Sequence, residues 1–193
     1  IKVYKDLEAR SFKNDSVYRQ GRHIGNVRTE KAIAQRSKAG LIVQQKMWVM
    51  YEYAQLWKLY NAGIPVPRPL VGPATQEMEA SGRVVLMEWI GTEEAPAPRL
   101  SDVKLEGEEA QNAFEQSITL LKQMLTLGKV HGDYSTYNLL YWQEKVIIID
   151  VPQMVNIEEN KSAKELLGRD VRSLCTSFKK HGIYADPVAV LKQ

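Results

Sequence analysis

One cysteine, Cys175, stands among 193 residues. No internal disulfide can form, and a reducing compartment, the cytoplasm, is expected. The three histidines, His23, His131 and His181, lie far apart in the chain. None has the short spacing that a zinc site uses, so zinc chemistry is not expected. No apolar run reaches the roughly 20 residues needed to cross a bilayer, and neither a membrane partner nor a signal peptide is expected. Internal repeats and low-complexity tracts are missing as well, which removes solenoids and fibrous architectures. What remains is 44% hydrophobic and 25% charged, a composition that suits one compact soluble domain or two closely packed lobes.

Charge of one sign is scarce in one place. Residues 10–46 hold nine Lys or Arg against Asp15 and Glu30, a segment of +7 in a chain whose net charge is +3. The rest of the chain is therefore −4. Such a cluster can meet phosphate, of a nucleotide or of RNA, or it can be a solvated loop without a partner. No Arg-Gly-Gly run supports a nucleic-acid assignment on sequence grounds.

The periodicities divide the chain as follows. Ile1-Lys2-Val3-Tyr4 alternates as a strand entered from its N-terminal side. Residues 11–40 are polar, basic and glycine-containing, and read as a loop with some helix toward its end. Trp48, Tyr51, Gln55, Leu56 and Leu59 fall at helical spacing over 48–59, and Ala62-Gly63 before Pro65 stops that helix. Residues 64–69 carry three prolines and must be extended. Val84-Val85-Leu86-Met87 reads as a short buried strand, Glu88-Trp89-Ile90-Gly91 leads out of it, and a loop runs to Pro98. A long helix is predicted over 108–127, with Phe114, Ile118, Leu121 and Leu125 on one stripe and Gly128 as its cap. A hairpin of 139–142 with 146–149 turns on Gln143-Glu144-Lys145. A last helix spans about 162–180 and ends near Gly182.

The most informative stretch is His131-Gly132-Asp133-Tyr134-Ser135-Thr136-Tyr137-Asn138. It sets a carboxylate and an amide five positions apart ahead of an apolar strand, and the second apolar run, Val146-Ile147-Ile148-Ile149, ends on Asp150. Kinase-type phosphoryl transfer needs this set: one carboxylate to orient the attacking hydroxyl, and an amide and a second carboxylate to hold Mg²⁺ on the phosphates. Singly, each is an ordinary turn or strand-end residue. Their order, spacing and apolar framing make the combination specific.

Across nearly its whole length the chain resembles the RIO family of atypical protein kinases. Ile1-Lys2-Val3-Tyr4-Lys5 is similar to the strand that carries the family's ATP-binding lysine. Residues 48–69, with Glu52, resemble its helix C and the strand entry after it. His131-Gly132-Asp133-x-Ser135-x-Tyr137-Asn138 resembles the catalytic loop, and Ile149-Asp150-Val151-Pro152-Gln153 the form these proteins carry in place of Asp-Phe-Gly. Arg169-Asp170-Val171 resembles the last helix. Tyr134 stands where the family often has an aliphatic residue. The family's phosphate-covering loop precedes the lysine strand and is not among these 193 residues, so a fragment or a processed or degenerate member is expected.

The resemblance implies an α+β, protein-kinase-like bilobal fold, with an incomplete N-lobe over 1–90 and a mainly helical C-lobe over 91–193. It implies ATP and Mg²⁺. Asp133 is the expected catalytic carboxylate, and Asn138 and Asp150 the metal ligands. The resemblance also implies that Asp150 can accept an acyl-phosphate in a self-phosphorylating cycle, since the matching aspartate of the family is implicated in that role. Lys2 is expected on the α- and β-phosphates, held by Glu52, with Met87, Glu88 and Ile90 lining the adenine pocket through backbone groups. His131, Tyr137 and Trp142 are read as structural or packing residues. Only a short stretch without Ala-Pro-Glu follows Asp150, which favours self-phosphorylation, or ATP-driven release from a partner such as a pre-ribosomal small subunit, over broad peptide phosphorylation. Ser11, Ser16 and Thr29 are hydroxyls in the basic loop, which is expected to be mobile and to order against phosphate. Two other readings stay open: a small-molecule phosphotransferase of the aminoglycoside or choline kinase type, and an inactive kinase-fold scaffold.

Overall fold

The prolines and the short β-branched runs set the sheet. Pro65 and Pro67 keep the chain extended into β2 (Pro69–Val71), which pairs antiparallel with β3 (Val84–Met87). The register slips between Pro69 and Val71, a local irregularity beside a proline that cannot donate to the ladder. On its other side β3 takes β1 (Lys2–Val3), Lys2 opposite Val85, giving the order β1-β3-β2. The computed structural model describes residues 2–4, 17–18, 20, 27–71 and 84–192.

Between β1 and β2 lie α1 (Val27–Ala34) and α2 (Lys38–Asn61). The second helix begins ten residues before the predicted 48–59, inside what reads as loop. Ser37 caps it, its side chain accepting from the Gly40 N–H at 3.1 Å. Gly40 belongs to a helix contact: a Cβ there would sit 2.1 Å from the Ala32 carbonyl oxygen. The far end stops as expected, with Gly63 at φ +73°. Of the basic stretch, Ser11, Ser16, Arg19 and Arg22 lie outside the described residues. Thr29 is half-buried on α1, and Tyr18 is buried.

After β3 the chain builds α3 (Gly107–Thr126), β4 (Lys129–Val130), a 3₁₀ turn (Thr136–Asn138), the hairpin β5 (Leu139–Trp142) with β6 (Lys145–Ile148), β7 (Val155–Asn156), α4 (Ala163–Phe178), a second 3₁₀ turn (Lys179–His181) and α5 (Pro187–Leu191). The predicted stripe on α3 packs: Phe114, Ile118 and Leu121 are buried and Leu125 is half-buried. The Phe114 and Phe178 rings meet edge to face at 5.1 Å, which docks α3 on α4. One buried cluster runs from Tyr4 and Val85 through Leu56 and Leu59 to Ile148, Leu174 and Phe178. The outcome is a mixed α+β fold. The short helix α5 was not expected, and β4–β7 is a small antiparallel pair besides the hairpin.

The hairpin turns on two residues rather than three. Trp142 pairs with Lys145, and Gln143 and Glu144 sit at φ +49° and +61°. That is the mirror-image turn that matches strand twist, made by residues without the usual Asn-Gly chemistry. Replacing Gln143-Glu144 with Asn-Gly should therefore raise the unfolding free energy by about 0.5–1 kcal/mol, read from urea midpoints. A lower midpoint would count against left-handed strain at these two positions.

Candidate active site

The register of the hairpin decides what meets at its open end. Leu139 lies opposite Ile148, and just beyond, the Ile149 N–H donates to the Asn138 carbonyl at 3.0 Å. Asn138 and Asp150 therefore leave adjacent strand ends together. The Asn138 Nδ2 donates to the Asp133 carbonyl at 2.8 Å and to its carboxylate Oδ2 at 3.0 Å. Asp150 holds φ +60°, in the left-handed region that short polar side chains tolerate best.

Lys2 reaches this cluster from the edge of the sheet. Its Nζ donates to Glu52 Oε1 at 2.6 Å and to Asp150 Oδ1 at 2.8 Å. Glu52 is 1% exposed, the Asp150 side chain 48% and Lys2 31%. Burial works against the Lys2 ammonium, but the two carboxylates outweigh it and hold its pKa above the ordinary value. Burial pushes the Glu52 carboxyl up, with Lys2 opposing. Glu52 sits among Val49 and Leu56 on α2, both buried, so the helix delivers a carboxylate from an apolar face.

The loop that carries Asp133 is clamped from behind. The Gly132 and Tyr134 N–H groups donate to the Asp170 carboxylate at 2.7 and 3.0 Å. The Arg169 guanidinium donates to the Gly132 carbonyl and, at 2.7 Å, to the Tyr18 hydroxyl, which contacts the same carbonyl. Gly132 has φ +84°, and a Cβ on it would come 2.8 Å from the Gln153 carbonyl oxygen. Asp170 is buried, which raises its pKa, while His131 and the two backbone donors oppose. Sequence reasoning named Arg169 and Asp170 only as part of a helix and did not name Tyr18; adjacent polar residues on a helix carry no spacing signal for a clamp.

His131 is 1% exposed and its Nδ1 accepts the Asp133 N–H at 3.3 Å, which places the proton on Nε2. Burial pushes its pKa down. Tyr134 is fully buried and donates to the Ser117 carbonyl at 2.8 Å, so its hydroxyl is satisfied inside the core. The expectation for Tyr137 needs correcting: the residue is 61% exposed. It lies on a 3₁₀ turn whose buried member is Thr136, so the side chain faces outward. Trp142 is half-buried.

At the end of β3, the Glu88 N–H donates to the Arg68 carbonyl at 2.8 Å and its carboxylate accepts from the Arg68 N–H at 3.0 Å. The Ile90 carbonyl accepts from Ala97 at 2.8 Å. Among the described residues the Glu88 carbonyl and the Ile90 N–H have no such partner. Met87 is half-buried against the core.

A clamped loop, a hairpin ending on a carboxylate and a strand lysine paired to a helix glutamate make a kinase-like arrangement. A family model of the RIO domain matches residues 1–190, and the chain belongs to that family. It is 35% identical over 141 residues to a RIO-type serine/threonine-protein kinase Rio1 of Thermoplasma acidophilum, covering 73% of this chain and 68% of that protein. Against the protein of the same name from Haloferax volcanii the identity is 31% over 187 residues, 96% of this chain and 57% of the relative. Against the human serine/threonine-protein kinase RIO3 it is 35% over 139 residues, 72% of this chain and 25% of the relative.

Two outcomes are expected from this geometry. Asp170→Ala leaves two buried N–H groups without an acceptor and should lower stability by about 3 kcal/mol in urea unfolding; a change near zero would mean the loop is held elsewhere. The second concerns acid. His181 resembles His131: its Nδ1 accepts the Leu105 N–H at 3.2 Å, and burial pushes its pKa down. Because both are below the ordinary value of 6.5 when folded, the unfolded chain binds more protons there. Stability should fall as pH drops below 6.5, and His131→Gln with His181→Gln should flatten that slope. An unaltered slope would assign acid lability to carboxylates.

Proposed function

We propose that this chain is a RIO-type atypical kinase domain that takes ATP with Mg²⁺ and passes the γ-phosphoryl group to a serine or threonine hydroxyl, its own included, or to Asp150. One observation carries the reading: the Lys2 ammonium bridges Glu52 and Asp150 where the hairpin ends, beside Asn138 hydrogen-bonded to Asp133. Among the described residues no three His, Cys, Asp or Glu side chains gather as a metal cluster. Asp150 and the Asn138 amide instead offer a few hard oxygen donors, which fits Mg²⁺, a cation that keeps waters and takes the rest of its ligands from phosphates. When bound, the metal neutralises charge on the phosphates.

The protein's own groups divide the work. Asn138 spends its Nδ2 on Asp133, so its Oδ1 is the atom left for a cation. Asp133 is exposed and would accept the hydrogen bond of an incoming hydroxyl, aligning it for attack. Lys2 would keep Glu52 and exchange Asp150 for the phosphates. The Glu88 carbonyl and Ile90 N–H form an acceptor and a donor that match the amino edge of adenine, beside Met87. In this reading the nucleotide lies between an N-lobe over 1–90 and a C-lobe over 91–193.

The partner belongs to the proposal as well. Arg28, Lys31, Arg36, Lys38 and Lys46 are all exposed on α1, α2 and the link between them. That surface suits phosphate-rich RNA, and a pre-ribosomal particle in the cytoplasm is the partner that the family resemblance suggests.

In the full protein, Asp133→Ala should lower ATP turnover by about 10²–10⁴-fold. Asp150→Ala should weaken ATP binding about tenfold or more in Mg²⁺ while leaving metal-free binding in place. Unchanged turnover in the first variant would refute the role of Asp133 in aligning the hydroxyl. Equal loss of binding with and without metal in the second would refute Asp150 as a metal ligand.

A further inference from the structure

The side of α2 turned away from the core carries rings where a surface helix ordinarily carries charges of both signs. Ile42, Lys46, Met50, Tyr53, Trp57 and Tyr60 follow one another at three- and four-residue steps and so share one side of the helix. Ile42 is 42% exposed, Met50 52% and Tyr60 40%, which puts the stripe on the surface. Trp57 stands between two tyrosines, its ring edge to face with both. The centroids lie 6.4 Å from Tyr53 and 5.9 Å from Tyr60. Trp57 is half-buried, yet among the described residues it packs against neither buried cluster. Single exposed apolar residues are ordinary, but a contiguous run of them marks a binding surface. The charges nearby are of one sign. Over residues 27–61, Arg28, Lys31, Arg36, Lys38, Lys46 and Lys58 are exposed, against Glu30 as the exposed carboxylate, since Glu52 is buried on Lys2.

We propose that this face of α2 is a docking surface for single-stranded RNA, with unpaired bases against Trp57 and Tyr60 and phosphates on Lys46 and its basic neighbours. It rests on the RNA partner proposed above and adds the form of RNA and the side chains that hold it. Cations and rings side by side match a ligand that alternates phosphate and base. A duplex would use only the cations, because its bases are stacked about 3.4 Å apart inside and offer no free face. Ring centroids near 6 Å apart suit bases spread along an extended strand instead. An acidic peptide would likewise meet the lysines and leave the rings without a π-face to cover. From Ile42 to Tyr60 the stripe runs about 27 Å at 1.5 Å per residue, room for a short strand. Glu52 leaves the same helix on its buried side, so the RNA surface and the Lys2–Asp150 centre are separate.

The probes are a labelled oligoadenylate dodecamer, an RNA duplex of the same length and polyglutamate, each titrated against the full chain by fluorescence anisotropy. The single strand should saturate and bind about tenfold tighter than the duplex. Trp57→Ala should weaken single-strand binding about tenfold with the salt slope unchanged, and Trp57→Phe should recover most of that loss. Lys46→Ala should instead lower the slope of log affinity against log salt by about 0.7. Thermal midpoints check folding, and if Trp57→Ala does not fold, Tyr60→Ala carries the same expectation. Equal affinity for strand and duplex, or ring variants without effect, would overturn the ring site and leave a surface that reads charge alone. Absence of binding to either RNA would overturn the RNA partner as well. Tighter binding of polyglutamate than of the dodecamer would make this face a protein-docking surface and overturn the proposal too. Loss of ATP turnover in the Asp133 variant is a separate readout, so the kinase reading stands or falls independently.

Discussion

The Lys2 ammonium is shared by two carboxylates that arrive from positions 52 and 150, and the relative placement of sheet, helix and hairpin follows from it. Glu52 is 1% exposed. An isolated carboxylate at that depth costs several kcal/mol, so the rotation of α2 about its axis and the register of β1 are tied to each other through this contact. The two arms differ in strength. The Glu52 arm is shielded from water, while Asp150 is about half exposed and its arm is weakened by solvent screening. A cation arriving at Asp150 competes with the weaker arm and leaves the stronger one in place.

The clamp on the Asp133 loop works by the opposite means, with backbone groups held by side chains of which Asp170 and Tyr18 are buried. The peptides around Gly132 are fixed on both sides: Asp170 takes two N–H groups, and Arg169 with Tyr18 takes the carbonyl. Charge-assisted hydrogen bonds of this kind are about twice as strong as neutral ones. The exposed Asp133 carboxylate thus stands on a rigid support and, among the described residues, its side chain hydrogen-bonds Asn138 alone. The support reaches the N-terminal part of the chain, since the Val17 carbonyl accepts from the Asn160 amide at 2.7 Å beside Tyr18.

What could be read from the sequence was what local chemistry decides. The helix stop at Gly63, the strand Val84–Met87, the stripe on α3 and the hairpin strands within a residue all follow from periodicity and turn residues. Asp133, Asn138 and Asp150 were legible through motif spacing, Lys2 and Glu52 only through the family resemblance. In the fold Lys2 meets Glu52 and Asp150, and Asn138 meets Asp133. The clamp was not legible, because Tyr18, Asp170 and Gly132 are joined only by tertiary folding. Tyr137 misled for a related reason: aromatic residues usually pack, but a 3₁₀ turn rotates this one into solvent. The start of α2 was hidden by polarity, since Gln44 and Gln45 read as surface yet are buried.

That polarity separates α2 from α3. On α3 the buried residues are almost all apolar, with Ser117 the exception, its hydroxyl donating to the Ala113 carbonyl. On α2, Gln44, Gln45, Glu52 and Gln55 are buried among Trp48, Val49, Leu56 and Leu59. Polar groups inside a helix interface add nothing to packing that leucine would not supply better, and each must be matched. The matches that α2 makes point in two directions: Glu52 to Lys2, and Tyr51 to the segment after Asp150. A helix built only to fill a core would show one apolar stripe. A shift of this helix along its axis would move the Lys2 pair and the Tyr51–Met154 contact together, because positions 51 and 52 are neighbours on a single rod.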